Sequence, residues 1–257
     1  MDNSKTVINY SRETIVLVLA ILLGGCEAVG NLSQPEAPQY WLPATELGDR
    51  PETDVVRDAG RQPFAVLSFL GVEPGMTVLD VIAAGGYYTE ALAHAVGTEG
   101  QVYAQNPAVV LRFFGGRNDL ELESRIRRLP NARRLDREFS DLGLIAGSID
   151  VAVTALNFHD VYNRSPEQAQ QLLLSIKRVL KPGGVLGIID HDSNTGADHA
   201  ALHRMPVADA IAAAEAAGFS VETSDLLRNP NDDRTQSPFA EGLRGKTDRF
   251  VLKLTKS

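Results

Sequence analysis

Cysteine is nearly missing from this sequence, with Cys26 the single example among 257 residues. One thiol excludes an intramolecular disulfide and any zinc cluster built from cysteines. Positive charge is also scarce, because 33 acidic residues outnumber 25 basic ones and give a formal net charge of −8 at pH 7. Binding to a phosphate backbone needs a basic stripe, so we expect no nucleic-acid partner. We interpret the local basic cluster over residues 125–137 as a solvated helix face, since acidic residues are interspersed in it.

The chain also lacks a long hydrophobic run near its start. The apolar run over residues 15–23 is too short to cross a bilayer as a helix, which needs about 20 residues. It has the length of the h-region of a signal peptide and follows Lys5 and Arg12. The run ends at Leu23-Gly24-Gly25-Cys26, which resembles the lipobox of bacterial lipoproteins.

That resemblance implies cleavage before Cys26 and acylation of this residue. The sequence therefore predicts a signal peptide over 1–25, a lipid anchor at Cys26 that joins the protein to a membrane, and a location on the periplasmic side of a bacterial membrane. Residue 27 is glutamate rather than aspartate, which favours the outer membrane. An uncleaved N-terminal anchor is the alternative interpretation.

Residues 26–52 are predicted to form a tether and lead-in segment, because they contain four prolines and little periodicity. From residue 53 to residue 257, strand and helix patterns alternate. This alternation predicts one α/β domain without an internal repeat.

The domain is organised around the stretch from Thr77 to Glu90. It combines an apolar strand, a small-residue turn over Ala83–Gly86, and a helix running to about Val96. This pattern is typical of the first βα turn in a parallel sheet. Such a turn brings backbone N–H groups and a helix N-terminus close to a ligand. Asp80, near the carboxyl end of the strand, is therefore a candidate site residue.

The other elements follow from the same patterns. Helices are predicted over 54–70, over 107–129 with a break at Gly115-Gly116, over 165–180 and over 206–217. Strands are predicted over 101–105, 132–135, 149–156, 185–189, 219–223 and 250–254.

Four segments in this order resemble a class I S-adenosylmethionine-dependent methyltransferase domain. They are Val78–Val81 with the Gly85-Gly86 turn, Ser148–Val151, Arg178–Gly184 and Ala216–Phe219. More narrowly, Gly85–Glu90, Asn157–Asp160, Asp190-His191 and Thr247–Lys253 resemble motifs of exported bacterial predicted methyltransferases. The resemblance implies a Rossmann-like, doubly wound seven-stranded sheet of order 3-2-1-4-5-7-6 with its last strand antiparallel. It also implies S-adenosylmethionine as cofactor and methyl transfer to a small-molecule acceptor.

The resemblance further implies a set of cofactor-binding residues around the first turn and the ends of strands two to four. They are Asp80, Ala84, Gly85, Gly86, Tyr87, Gln105, Asp136, Glu138 and Asn157. The chain departs from the family pattern at three of its positions. Ile82 and Ala84 replace glycines, which serve there because a Cβ would crowd the cofactor or forbid the backbone conformation. Gln105 replaces the carboxylate that accepts the ribose hydroxyls.

Polar residues also follow strands four and five, at the edge of the sheet where the acceptor would lie. His159, Asp160 and His191 are the candidate catalytic residues. In one interpretation, His159 or His191 is a general base that Asp160 or Asp190 orients. In another, His199 and His203, spaced i, i+4 on a helix, bind a metal with a nearby acid. In a third, these residues only hold the loops together.

We therefore predict a methyltransferase without an assigned metal ligand. Two alternatives remain, because S-adenosylmethionine is made in the cytoplasm and the signal sequence predicts export. One is a non-catalytic ligand-binding lipoprotein that retains the fold, and the other is a metal-dependent hydrolase built on the histidine cluster. Arg204 either clamps an acidic substrate or pairs with an aspartate such as Asp209.

Overall fold

The computed structural model describes residues 50–257, which belong to one compact unit. Cys26, the predicted signal peptide and most of the predicted tether lie outside the described residues. Within the described range, no helix is both long enough and apolar enough to cross a membrane.

Seven strands form one sheet of order β3-β2-β1-β4-β5-β7-β6. Strands β1 to β5 run parallel, and β7 pairs antiparallel with both β5 and β6. This confirms the strand order and the antiparallel last strand expected from the sequence. The strands are β1 Thr77–Val81, β2 Gln101–Asn106, β3 Ala132–Asp136, β4 Ile149–Ala155, β5 Leu180–His191, β6 Phe219–Ser224 and β7 Arg249–Lys256.

Helices cover both faces of the sheet, as parallel strands require. Two core clusters follow from the alternation of side chains along each strand: Val78 belongs to one cluster and Leu79 to the other. The helices are α1 Glu52–Arg61, α2 Pro63–Leu70, α3 Tyr87–Val96, α4 Ala108–Arg128, α5 Phe158–Arg164, α6 Pro166–Val179, α7 His199–Leu202 and α8 Val207–Ala216.

Most element bounds agree with the sequence prediction, and two differences have local causes. The helix predicted over 54–70 is split at Gln62, which has a left-handed backbone (φ 41°). Pro63 disfavours the right-handed helical conformation for the residue before it, so the chain starts a new helix there. Strand β5 begins at Leu180 rather than Val185, because Lys181–Gly184 continues alongside β4 through a shift in register.

The predicted break in the long helix is confirmed, since Phe113–Gly116 have non-helical backbone angles inside α4. The predicted cap of α6 is also confirmed. Ser165 accepts a hydrogen bond of 3.2 Å from the Gln168 N–H, and Pro166 is the first helical residue.

The topology brings the carboxyl ends of β1 to β5 to one edge of the sheet. The strand order reverses direction between β1 and β4, which makes this a topological switch point where open α/β sheets bind ligands. Val81 of β1 is aligned with Gln105 of β2 and Thr154 of β4. The turns that follow these strands are therefore neighbours.

Candidate active site

The turn between β1 and α3 retains a left-handed backbone despite its missing glycines. Ile82 has φ 56°, Ala84 has φ 49° and Gly86 has φ 88°. A positive φ is uncommon for any residue with a Cβ and is an outlier for a β-branched one. The side chain of Ile82 is buried in the core cluster that contains Phe158.

Two buried amide side chains at the end of β2 hold this turn in place. Gln105 accepts a hydrogen bond of 3.1 Å from the Ile82 N–H and donates one of 2.6 Å to the Arg137 carbonyl. Asn106 accepts from the Ala84 N–H (2.8 Å) and donates to the Ala84 carbonyl (3.1 Å). Both ends of the Gln105 amide, which the sequence places at the ribose, are thus used within the protein.

Asp80 is buried beneath the turn and accepts a hydrogen bond of 2.6 Å from the Thr89 hydroxyl. Burial raises the pKa of Asp80 to about 7, although the Thr89 hydrogen bonds and the charges of Arg125 and Arg61 act in the opposite direction. Thr89 was not among the predicted site residues. Its position two residues into α3 gives no chemical signal in the sequence alone.

Gly85 and Gly86 lie close to side chains of α4. A Cβ on Gly85 would lie 2.4 Å from Glu121 Oε2, and one on Gly86 would lie 2.9 Å from Arg125 Cδ. Arg125 itself is buried between Asp54 and Glu90, and its Nε donates to the Gly85 carbonyl. The interpretation of the basic cluster as a solvated helix face is therefore wrong for Arg125.

Three arginines from the N-terminal side of the domain surround the Tyr87 ring. The guanidinium carbons of Arg61, Arg57 and Arg50 lie 4.4, 4.6 and 5.4 Å from its centroid. The Tyr87 hydroxyl donates a hydrogen bond of 2.5 Å to Asp58, which also pairs with Arg50.

Arg61 differs from its neighbours, because it forms no ion pair or hydrogen bond with another described residue. Burial lowers the pKa of Arg61 to about 10, and the charges of Arg57 and Arg249 add to this effect. A positive charge without a counterion among residues 50–257 therefore lies beside the turn.

A cavity of about 320 Å³ lies at the carboxyl end of β3. Its lining includes Asp136 and Glu138, the two acids that the sequence assigns to the adenine side. Asp136 pairs with Arg134 at 2.8 Å, and Glu138 accepts a hydrogen bond of 3.1 Å from the Ala108 N–H. Both carboxylates are thus fixed at the rim of a concave surface.

The predicted acceptor-side residues converge on one buried carboxylate. His159 Nδ1 lies 2.6 Å from Asp190 Oδ1. Asp190 is fully buried and also accepts from the backbone N–H groups of His159 and His191, each at 2.8 Å. Asn157 connects this region to the first turn, because its side chain donates to the Ile82 carbonyl at 3.0 Å.

The two histidines proposed as general bases differ in the direction of their pKa shifts. Burial opposes protonation of His159, but Asp190 and Asp160 outweigh it and raise the pKa of His159 to about 10. Burial lowers the pKa of His191 to about 3, and its Nδ1 lies 2.9 Å from the Thr247 hydroxyl. The two carboxylates beside His159 therefore favour its protonated form, whereas burial favours the neutral form of His191.

The predicted pairing of His199 with His203 on one helix face is wrong. Helix α7 ends at Leu202, and His203 adopts a left-handed backbone (φ 50°). His199 faces Ser193, with 3.0 Å between Nδ1 and Oγ, whereas His203 Nδ1 lies 3.0 Å from Asp160. A left-handed residue after a short helix changes the direction of a side chain that simple periodicity had aligned.

Arg204 has an internal partner that the sequence did not indicate. It is fully buried, and its two terminal nitrogens lie 2.8 and 3.3 Å from the Asp232 carboxylate oxygens. It also donates to the carbonyls of Asp192 and Gln236. Its guanidinium therefore anchors the loop between β6 and β7, and its partner is not Asp209.

Part of the chain is similar in sequence to proteins that are described as methyltransferases. A family profile described as "Methyltransferase domain" matches residues 79–188. An uncharacterized methyltransferase of Synechocystis sp. is 29% identical over 124 residues, which are 48% of this chain. The match spans 51% of that relative, or about half of its length.

Solved structures show the same fold. A SAM-dependent methyltransferase from Aquifex aeolicus is similar with a TM-score of 0.59 and 21% identity, covering 84% of this chain and 100% of that one. The [4+2]-cyclase SpnF is similar with a TM-score of 0.56 and 17% identity, covering 77% of this chain and 80% of that one. These structural similarities show that the fold is shared.

Proposed function

We propose that this chain transfers a methyl group from S-adenosylmethionine to a small-molecule acceptor, because a methyltransferase-domain profile matches residues 79–188 and the fold is similar to that of a solved SAM-dependent methyltransferase. The observation that carries the proposal is the turn after β1. Ile82 and Ala84 keep positive φ values that would be easy only for glycine. Strain of this kind costs about 1–3 kcal/mol for each residue and persists where the surroundings over-determine it, most often at functional sites.

The side chains that hold this strained turn in place support its role as a ligand-binding surface. Gln105 and Asn106 fix the backbone of Ile82 and Ala84 from the next strand. The backbone around Ala84, Gly85 and Gly86, together with the N-terminus of α3 at Tyr87, then forms a preorganised surface at the switch point. The cofactor would supply the electrophilic methyl group on its sulfonium at this place.

Arg61 is the residue best suited to hold the cofactor's carboxylate. Arg61 is partly buried beside the turn without an anionic partner among the described residues, and burying an unpaired charge is unfavourable. A carboxylate would supply two charge-assisted hydrogen bonds to its planar donor fork.

At the other end, Asp136 and Glu138 would face the adenosine part from the rim of the 320 Å³ cavity. The amide of Gln105 supports the turn instead of a ribose, because both of its ends already have partners.

On the acceptor side, the chain contributes alignment more than acid–base chemistry. His159 is fixed by Asp190 and lies close to the turn, since Asn157 donates to the Ile82 carbonyl. The neutral ring of His191 lies next to His159, with ring centroids 6.1 Å apart. Holding the acceptor atom in line with the methyl group is the main task of a transferase of this kind.

The proposal is tested by calorimetric titration of S-adenosylmethionine and S-adenosylhomocysteine into the purified protein. We expect micromolar binding, roughly −8 kcal/mol. Arg61→Gln should weaken binding about 10-fold to 100-fold, because it removes charge-assisted hydrogen bonds worth about 1.5–3 kcal/mol. Arg127→Gln, a matched change at an exposed arginine of α4, should leave binding unchanged.

Absence of heat with either ligand would contradict the proposal. It would favour the alternative of a non-catalytic binding protein, which the internal use of the Gln105 amide supports. Binding that is unaffected by Arg61→Gln would remove Arg61 from the cofactor site without affecting the rest.

We also propose that the chain is exported as a lipoprotein acylated at Cys26, on the support of the Leu23–Cys26 motif after a short apolar run. Labelling of cells with a palmitate analogue should mark the wild-type protein and leave Cys26→Ser unmarked. Equal labelling of both forms, or of neither, would refute the anchor. Periplasmic residence would then require a supply of S-adenosylmethionine outside the cytoplasm.

A further inference from the structure

Three side chains from two different parts of the chain converge beside the candidate acceptor site. Nitrogen or oxygen atoms of His159, Asp160 and His203 all lie within 4.8 Å of one another. The two imidazole rings are nearly perpendicular, at 87°, with centroids 5.9 Å apart. We propose that these three side chains bind a divalent transition-metal ion.

His159 is the preformed part of this site. Its Nε2 atom is buried and forms no hydrogen bond with any described group, although Asp160 Oδ1 lies 3.3 Å away. A buried polar atom without a hydrogen-bond partner is unfavourable, and a metal ion would satisfy it.

The other nitrogen of the same ring supplies an independent argument. His159 Nδ1 is 2.6 Å from Asp190 Oδ1, and Asp190 is itself fixed by two backbone N–H groups. Metal-binding histidines usually donate their second N–H to a carboxylate in this way, which fixes the tautomer and leaves Nε2 free to ligate. Asp190 is therefore assigned as a positioning residue.

The remaining two ligands leave one side of the site open. The Asp160 side chain is 51% exposed and that of His203 is 42% exposed, so solvent or an acceptor can reach the ion. Three protein ligands and an open position are typical of catalytic rather than structural metal sites. Two imidazoles and one carboxylate suit Zn²⁺ and the neighbouring first-row ions such as Co²⁺ and Fe²⁺.

His203 is held towards the other two ligands by unusual local structure. Its left-handed backbone (φ 50°) turns the side chain away from the α7 helix axis, and its ring packs edge-on against Phe239 with centroids 5.2 Å apart. Backbone strain of this kind is concentrated at functional sites. The ligand set differs from the His199–His203 pair suggested by sequence spacing, because His199 faces Ser193.

Metal titration of the full-length, chelator-treated protein tests the inference without reference to methyl transfer. Co²⁺ serves as the probe because its visible absorption reports coordination, and Zn²⁺ is then added in competition. We expect one ion for each chain. Asp160→Asn and His203→Ala change exposed side chains, so the variants should fold, and each should weaken Co²⁺ binding at least 10-fold. Asp190→Asn should weaken it by about 10-fold to 100-fold.

His199→Ala is the matched control, since it removes a nearby histidine that the proposed site does not use, and it should bind Co²⁺ as tightly as the wild type. Three results would overturn the inference: no saturable binding, unchanged binding in both Asp160→Asn and His203→Ala, or loss of binding in His199→Ala alone. Cofactor affinity, measured separately on the metal-free protein, keeps failure of this site distinct from failure of the proposed activity.

Discussion

Asp80→Asn should change the pH dependence of stability in a defined direction. Burial raises the pKa of the folded-state carboxyl to about 7 from an ordinary value of 3.8. Between these pH values the folded protein keeps the Asp80 proton while the unfolded chain releases it. The stabilising contribution of neutral Asp80 is therefore fully present below about pH 4 and is lost as pH rises through 7.

The magnitude follows from the same two values. Each pKa unit corresponds to about 1.4 kcal/mol, so the interval from 3.8 to about 7 amounts to about 4 kcal/mol. Asparagine is nearly isosteric, stays neutral, and keeps an oxygen that accepts from the Thr89 hydroxyl. The difference in unfolding free energy, variant minus wild type, should accordingly increase by about 4 kcal/mol between pH 4 and pH 8.

Urea unfolding followed by circular dichroism at several pH values measures this difference, and subtraction cancels the groups that both proteins share. Asp225→Asn is the matched control, because Asp225 is exposed and is hydrated whether the chain is folded or not. A difference for Asp80→Asn that stays constant, or that falls as pH rises, would refute the reasoning. It would mean that Arg125 and Arg61 keep the buried carboxylate ionised.

Further substitutions test other parts of the structure by urea unfolding. Ala84→Gly should stabilise the protein by about 0.5–1 kcal/mol, because glycine adopts a positive φ without strain. A destabilised variant would contradict the conclusion that the backbone of Ala84 is strained. Arg204→Met should lower the free energy of unfolding by about 3–5 kcal/mol, because it leaves the buried Asp232 carboxylate unpaired. Adding Asp232→Leu should recover much of this loss. Equal losses in the single and double variants would argue against an isolated ion pair. Ser165→Ala should cost about 1 kcal/mol by removing the cap of α6, and no loss would mean that the cap is not stabilising.

The fold could be predicted because its signals are local and repeated. Each parallel strand is an apolar run bounded by turn residues, and each helix has its own start and stop residues. The antiparallel position of β7 between β5 and β6 was predicted through the family resemblance. Periodicity alone does not give the order of strands in a sheet.

The site could be predicted only in part, because its details depend on contacts between distant segments. His159 and Asp190 are 31 positions apart, yet both follow parallel strands, so their proximity could be predicted. The partners of Gln105 and Arg125 could not be predicted. The sequence does not distinguish a side chain that hydrogen-bonds to a turn from one that faces a ligand. The position of His203 was predicted wrongly, because its left-handed backbone ends the helical periodicity that would place it on the same face as His199.

The position of β7 also has a consequence for biosynthesis. Residues 249–256 pair with β5 on one side and with β6 on the other, so the sheet cannot close until this segment has left the ribosome. Until then β5 and β6 present unpaired edges, and such edges can associate with other chains. Any delay in the synthesis of residues 249–256 therefore lengthens the time during which these two edges are exposed.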